Sequence, residues 1–185
     1  MGSISDIGKG VTIKYDNKLF KIVDFQHVKP GKGGAFVRTK LKNIETGQVV
    51  ENTLRENDKF DVIRLEKRNT QFLYREGNIF WFMDNETFEQ ISAEESLLED
   101  KIQWLKENME CGLLFAEGKI VDVEIPLFLE LEVTETEPGV KGDTATPGTK
   151  PATLEGGIKI DVPLFINKGD MLKVDTRTGK YIERV

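Results

Sequence analysis

The sequence predicts an all-β protein made of three small β-barrels, with one short helix in the second. Three observations predict it. Apolar residues recur mostly at period 2 rather than 3.6, turn-forming residues punctuate the chain at short intervals, and a single stretch carries helical spacing.

Val11-Tyr15, Leu19-His27, Ala35-Lys42, Gln48-Leu54 and Phe60-Leu65 read as strands. Asp16-Asn17, a Pro/Gly segment, Glu45-Thr46-Gly47 and Glu56-Asn57-Asp58 separate them. Five strands this close together suggest a small barrel. A second group follows in Thr70-Tyr74, Ile79-Asp84, Thr87-Ile91, Leu113-Ala116, Lys119-Glu124 and Leu127-Val133. The helix lies inside this group: Ser92 and Glu95 have capping-box spacing, and Leu98, Ile102 and Leu105 then share one face as core residues. From Thr134 to Gly157 the composition turns to Thr, Gly, Pro and Lys without a period, which reads as a long surface loop. Ile158-Val162, Leu164-Ile166, Met171-Val174 and Tyr181-Val185 form a third β group. The expected domains are 1–65, 66–129 and 130–185. Each is small enough to be individually marginal and to depend on its neighbours.

Composition excludes several kinds of chemistry. With one Cys (Cys111) and one His (His27) in 185 residues, neither an intramolecular disulfide nor the usual zinc site of four N/S ligands can be assembled. His27 lies in a strand pattern rather than a catalytic turn. Glu94-Glu95 opens a helix, where negative charge suits the dipole. Asp58 with Asp61, and Glu135 with Glu137, lack an accompanying base or nucleophile. No catalytic residue, metal or cofactor is expected, and the chain reads as a non-enzyme. No apolar run is long enough to span a bilayer, and Asp6 stands where a myristoylation signal needs Ser or Thr. A cytoplasmic protein without membrane contact is expected.

The formal net charge is −6, but it is unevenly spread. Residues 1–65 carry 12 basic and 8 acidic side chains, residues 66–129 carry 6 and 14, and residues 130–185 carry 8 and 10. A basic head on an acidic body can dock by its head.

The chemistry concentrates in that head. His27-Val28-Lys29-Pro30-Gly31-Lys32-Gly33-Gly34-Ala35-Phe36-Val37-Arg38 places one proline, three glycines and two lysines between apolar strands, so Lys32 is displayed at a slim tip. Arg38, Lys40 and Lys42 alternate at period 2 and project from one strand face, an arrangement suited to phosphate contacts. A solvated strand face behind a glycine-rich hairpin accounts for the same pattern. The segment fails as a P-loop because Gln26 stands at the required first Gly and Gly33 replaces Ser/Thr. As an RNA-recognition signature it lacks aromatics at Gly34 and Thr39. As a KH clamp, Gly31-Lys32-Gly33-Gly34 lies between strands instead of helices.

Lys29-Pro30-Gly31-Lys32-Gly33 with Ala35-Phe36-Val37-Arg38 resembles the N-terminal loop of bacterial elongation factor P, a relative of the hypusine-bearing initiation factor 5A. Thr134 to Ala145, Lys150-Pro151-Ala152, Val162-Pro163-Leu164-Phe165-Ile166 and Val174-Asp175-Thr176-Arg177 extend the resemblance over essentially the whole chain. Leu154-Glu155-Gly156-Gly157 departs from the family's usual Glu-Thr-Gly.

The resemblance implies an SH3-like (KOW-like) barrel followed by two OB-fold barrels, together similar in shape to transfer RNA. It implies a monomeric elongation factor that binds the 70S ribosome between the P and E sites and promotes peptide bond formation at consecutive prolines by positioning peptidyl-tRNA. Lys32 would reach the peptidyl-transferase centre amid ribosomal RNA, at the position where relatives carry an extension added by a lysine-modifying enzyme. Lys29, Arg38, Lys40, Lys42, Tyr181 and Arg184 would contact tRNA, and Gly142, Asp143 and Thr144 the E-site mRNA codon. The competing class is a free-standing OB-type RNA-binding module or RNA chaperone using the same ridge.

Overall fold

A computed structural model describes residues 2–31, 33–139 and 148–185. Among them are three five-stranded sheets and one four-residue α-helix. The chain divides into two compact units, residues 1–68 with 113–123 and residues 69–112 with 124–185.

The first sheet comprises β1 (Thr12–Tyr15), β2 (Lys18–Val28), β3 (Phe36–Asn43), β4 (Val49–Arg55) and β5 (Asp61–Val62), ordered β4-β3-β2-β1-β5. Asp16 and Asn17, with φ of 48° and 59°, make the β1–β2 turn, because paired positive φ values match the twist of a two-residue hairpin. Ile13, Phe20, Ile22, Val37, Leu41, Leu54 and Phe60 close the core. The expected strand Phe60-Leu65 shrinks to Asp61–Val62, with Phe60 used as a core plug.

A bulge between Ile22 and Asp24 changes which residues of β2 face inward. Phe20 and Ile22 are buried, and unbroken alternation would send Asp24 after them. The extra residue, Val23, instead sets Asp24 opposite Lys40 on the outer face.

The second sheet contains β6 (Glu66–Glu76), β7 (Ile79–Asp84), β8 (Gln90–Glu94), β9 (Glu110–Ala116) and β10 (Lys119–Glu124), ordered β10-β9-β6-β7-β8. The Phe72 ring lies 6.0 Å from that of Phe80 and 5.5 Å from that of Phe82, and all three are buried. Strand β8 begins three residues later than expected. Asp84 Oδ1 accepts from the amides of Glu86 and Thr87, and Phe88 adopts φ of 59°, so this stretch is a turn.

The helix differs from its sequence reading. Ser92 pairs with Trp81 inside β8, and α1 (Glu95–Leu98) starts after Glu94 without a side-chain cap. The chain then tightens into a 3₁₀ segment, Glu99–Trp104. Leu98 and Trp104 are the buried anchors, while Ile102 and Leu105 are half-buried. A capping box does form elsewhere, between Ser3 and Asp6 at the 3₁₀ turn Ile4–Asp6.

The third sheet comprises β11 (Phe128–Thr136), β12 (Thr149–Leu154), β13 (Lys159–Pro163), β14 (Met171–Asp175) and β15 (Lys180–Arg184), ordered β13-β12-β11-β14-β15. Strand β12 and the extension of β11 replace part of the expected 134–157 loop. Pro151 lies one residue beyond the last β11–β12 pair, Thr136 with Ala152, and its carbonyl accepts from the Thr136 hydroxyl. Leu164-Ile166 is a turn closed by the Ile166 amide on the Pro163 carbonyl, although Ile166 is buried and Phe165 exposed as alternation predicts. Trp104 inserts into this sheet's core beside Leu131, Val133, Leu154, Val162, Ile166, Leu172 and Val174.

Candidate nucleic-acid interface

Strands β2 and β3 form a long hairpin whose tip carries the lysine-glycine segment. At Gly31 and Gly34 an added Cβ would meet nothing within 4 Å, and at Gly33 only Pro30 Cγ at 3.9 Å. The described tip residues are thus surrounded by open space. Gly33 has φ of 111°, a conformation that favours glycine. Lys29 is exposed and Pro30 half-buried. Lys32, expected at the apex, lies outside the described residues, as do Gly142, Asp143 and Thr144.

The expected ladder on β3 is present. Val37, Thr39 and Leu41 are buried, while Arg38 and Lys40 are exposed and Lys42 half-buried on the opposite face. Register adds acids that spacing along one strand cannot show. Lys40 is paired with Asp24 on β2 and Glu51 on β4, and its Nζ lies 3.9 Å from Glu51 Oε1. Arg38 has Gln26 and Thr53 beside it, and its Cζ lies 6.0 Å from the Phe36 ring centroid.

Arg55, which the sequence reading did not single out, pairs directly with Phe36 and is exposed at the end of β4. Its signal was available in the alternation of Glu51, Thr53 and Arg55 outward with Leu54 inward. His27 is also exposed, in an edge-to-face contact with Phe25 at 5.4 Å between centroids.

Tyr181 and Arg184 are three residues apart, a spacing that puts side chains on opposite faces of a regular strand. A bulge that admits Ile182 cancels the offset: Tyr181 pairs with Val174 and Arg184 with Leu172, both buried. The two side chains therefore share a face. Tyr181 packs on the third core, while Arg184 lies 3.6 Å from Asp170 and over the Phe165 ring at 5.9 Å.

Hydrogen bonds brace the same sheet. Thr176 Oγ1 donates to the carbonyl of Pro126 at 2.8 Å, and Asp175 accepts from the amide, Nε and Nη2 of Arg177. The Arg177 guanidinium holds the Asp175 carboxyl below the usual carboxylate range. No cluster of three potential metal ligands occurs among the described residues. Burial pushes the Cys111 thiol up to about 11, which keeps it protonated. No helix among the described residues is long and apolar enough to cross a membrane.

Residues 3–60 match the family model described as the elongation factor P (EF-P) KOW-like domain, residues 65–123 the elongation factor P (EF-P) OB domain, and residues 129–184 the C-terminal elongation factor P domain. The chain is 55% identical over 185 residues to elongation factor P of Thermoanaerobacter sp. strain X514, covering 100% of both chains. The chain belongs to the elongation factor P family. Elongation factor P of Acetivibrio thermocellus is 51% identical over the same length. Among solved structures, eukaryotic translation initiation factor 5A from Methanococcus jannaschii matches with a TM-score of 0.50 and 25% identity, over 66% of this chain and 92% of that one. The three sheets are accordingly a KOW-like barrel followed by OB-type barrels, and the coarse function of this elongation factor P-family chain is that of a translation elongation factor.

Proposed function

We propose that this chain binds the 70S ribosome between the P and E sites and restores peptide bond formation at consecutive prolines by steadying peptidyl-tRNA. The observation that carries this reading is the β2–β3 hairpin, whose glycine-rich end stands in open space ahead of a face bearing Arg38. Such a tip can enter a narrow RNA channel backbone-first. Lys32, in its native or enzymatically extended form, meets phosphate or ribose there without demanding one sequence. Lys29, Arg38, Lys40 and Lys42 steady the tRNA near its acceptor end, Tyr181 and Arg184 meet tRNA from the third domain, and Gly142, Asp143 and Thr144 meet the E-site codon.

The factor makes and breaks no bond itself. Proline is a rigid, poor nucleophile, and holding the peptidyl-tRNA end in a reactive pose lowers the entropic cost of alignment. Domains at 1–65, 66–129 and 130–185, acting as a cytoplasmic monomer, suit this role.

The test is reconstituted translation of a polyproline message. Addition of the protein should raise synthesis, and Lys32→Ala should remove the stimulation while leaving the thermal midpoint unchanged. Stimulation by the variant equal to that of the native chain would reject the role given to Lys32. Equal binding to arbitrary single strands, without preference for ribosomes, would point to a free-standing RNA-binding module.

A further inference from the structure

The outer face of the first sheet can be read in rows across β2, β3 and β4. Val28, Phe36 and Arg55 form one row, Gln26, Arg38 and Thr53 the next, and Asp24, Lys40 and Glu51 the third. Directly paired residues in an antiparallel sheet share a face, so the rows show how positive charge is distributed. Lys40 stands between two carboxylates. Arg38 stands between two neutral side chains, with Asp24 and Glu51 on its diagonals towards Lys40 and Arg55 on the diagonal towards Phe36. Of the two acids that follow Arg55, Glu56 is exposed and Asp58 accepts a 2.8 Å hydrogen bond from the Arg55 amide.

We propose that Arg38 and Arg55, arranged about Phe36, form a two-guanidinium clamp for an RNA phosphate, and that Lys40 stands outside it. The proposal rests on the reading that this hairpin faces RNA. It adds Arg55 and divides a ladder that looks uniform in sequence. Diagonal neighbours on adjacent strands lie about 7–8 Å apart at Cα, near enough for two long arginine side chains to converge on one phosphate group. Each guanidinium offers a planar fork that matches two phosphate oxygens. Phe36 between them supplies an apolar platform over which the Arg38 guanidinium already lies. Counterion release rewards cations that RNA neutralises, and Lys40 already has Glu51 at 3.9 Å and Asp24 beside it in register.

The test titrates the full-length protein onto 70S ribosomes carrying peptidyl-tRNA over a range of salt. Loss of one phosphate contact lowers the slope of log affinity against log salt by about 0.7–0.9, which makes the affinity drop between about 50 and 200 mM salt about threefold smaller. Replacing Arg38 and Arg55 together by alanine should show that change with an unaltered thermal midpoint, Arg55→Ala alone should show part of it, Arg55→Lys should recover most of that part, and Lys40→Ala should lower the slope by less than Arg55→Ala. A native slope in Arg55→Ala, or an equal loss in Lys40→Ala, would overturn the clamp. Failure of the native protein to bind ribosomes would instead overturn the functional reading, and with it the RNA ligand.

Discussion

Replacing Trp104 by alanine tests how the third sheet is held. Trp104 is 3% exposed and belongs to the core made by Leu131, Val133, Leu154, Val162, Ile166, Leu172 and Val174, although it comes from the 3₁₀ segment that follows the second sheet's β8. A buried aromatic side chain removes about 150–250 Å² from water. At about 25 cal/mol per Å² this gives roughly 4–6 kcal/mol as an upper estimate. Large-to-small aromatic replacements in cores cost about 3–5 kcal/mol, in agreement. Tyr181 packs against the same core, so the loss should loosen the β15 edge on which Arg184 sits. Urea titration followed by near-ultraviolet circular dichroism should show a midpoint shift matching about 3–5 kcal/mol, and Trp104→Phe should recover most of it. A change of less than about 1 kcal/mol for Trp104→Ala would refute the assignment of Trp104 as a core anchor.

Four further expectations concern single residues. Asp175 has its carboxyl lowered by Arg177, so its contribution to stability is full above the ordinary carboxylate range and is lost as pH falls through the depressed folded value; acid titration of Asp175→Asn should lack that part of the native profile. Cys111, with its thiol raised to about 11, should react with a disulfide reagent near pH 8 only as fast as the protein opens, and rapid stoichiometric labelling of the native chain would contradict its burial. A Cβ at Gly139 would come within 2.3 Å of the Leu164 carbonyl oxygen, so Gly139→Ala should cost about 1–3 kcal/mol in thermal unfolding. Gly34→Ala, set in open space, should stay within about 0.5 kcal/mol of native.

Regular alternation was legible wherever it stayed unbroken. Ile79–Asp84 and Lys119–Glu124 match their sequence readings to the residue. Bulges broke the rule elsewhere: Val23 turns Asp24 outward, and Ile182 gathers Tyr181 and Arg184 onto one face, which counting along the strand does not show. Strand β12 was hidden because Pro151 and the neighbouring Gly and Thr residues look like a loop, while cross-strand pairing overrides that local preference. Ser92 carried a capping-box pattern, yet pairing with Trp81 claimed it for β8.

The site was partly legible for the same reason. The open glycine tip and the outward Arg38 and Lys40 followed from composition and period 2. The acids flanking Lys40 and the approach of Arg55 to Phe36 depend on strand register, a property of three segments together.

Cross-linking from a photoreactive lysine analogue at position 32, on ribosomes stalled at consecutive prolines, tests the central claim most directly. The account predicts adducts to peptidyl-transferase-centre RNA and to the acceptor end of peptidyl-tRNA, lost when excess native protein competes. Adducts confined to the outer surface of the ribosome, or to free RNA with no dependence on stalling, would contradict it.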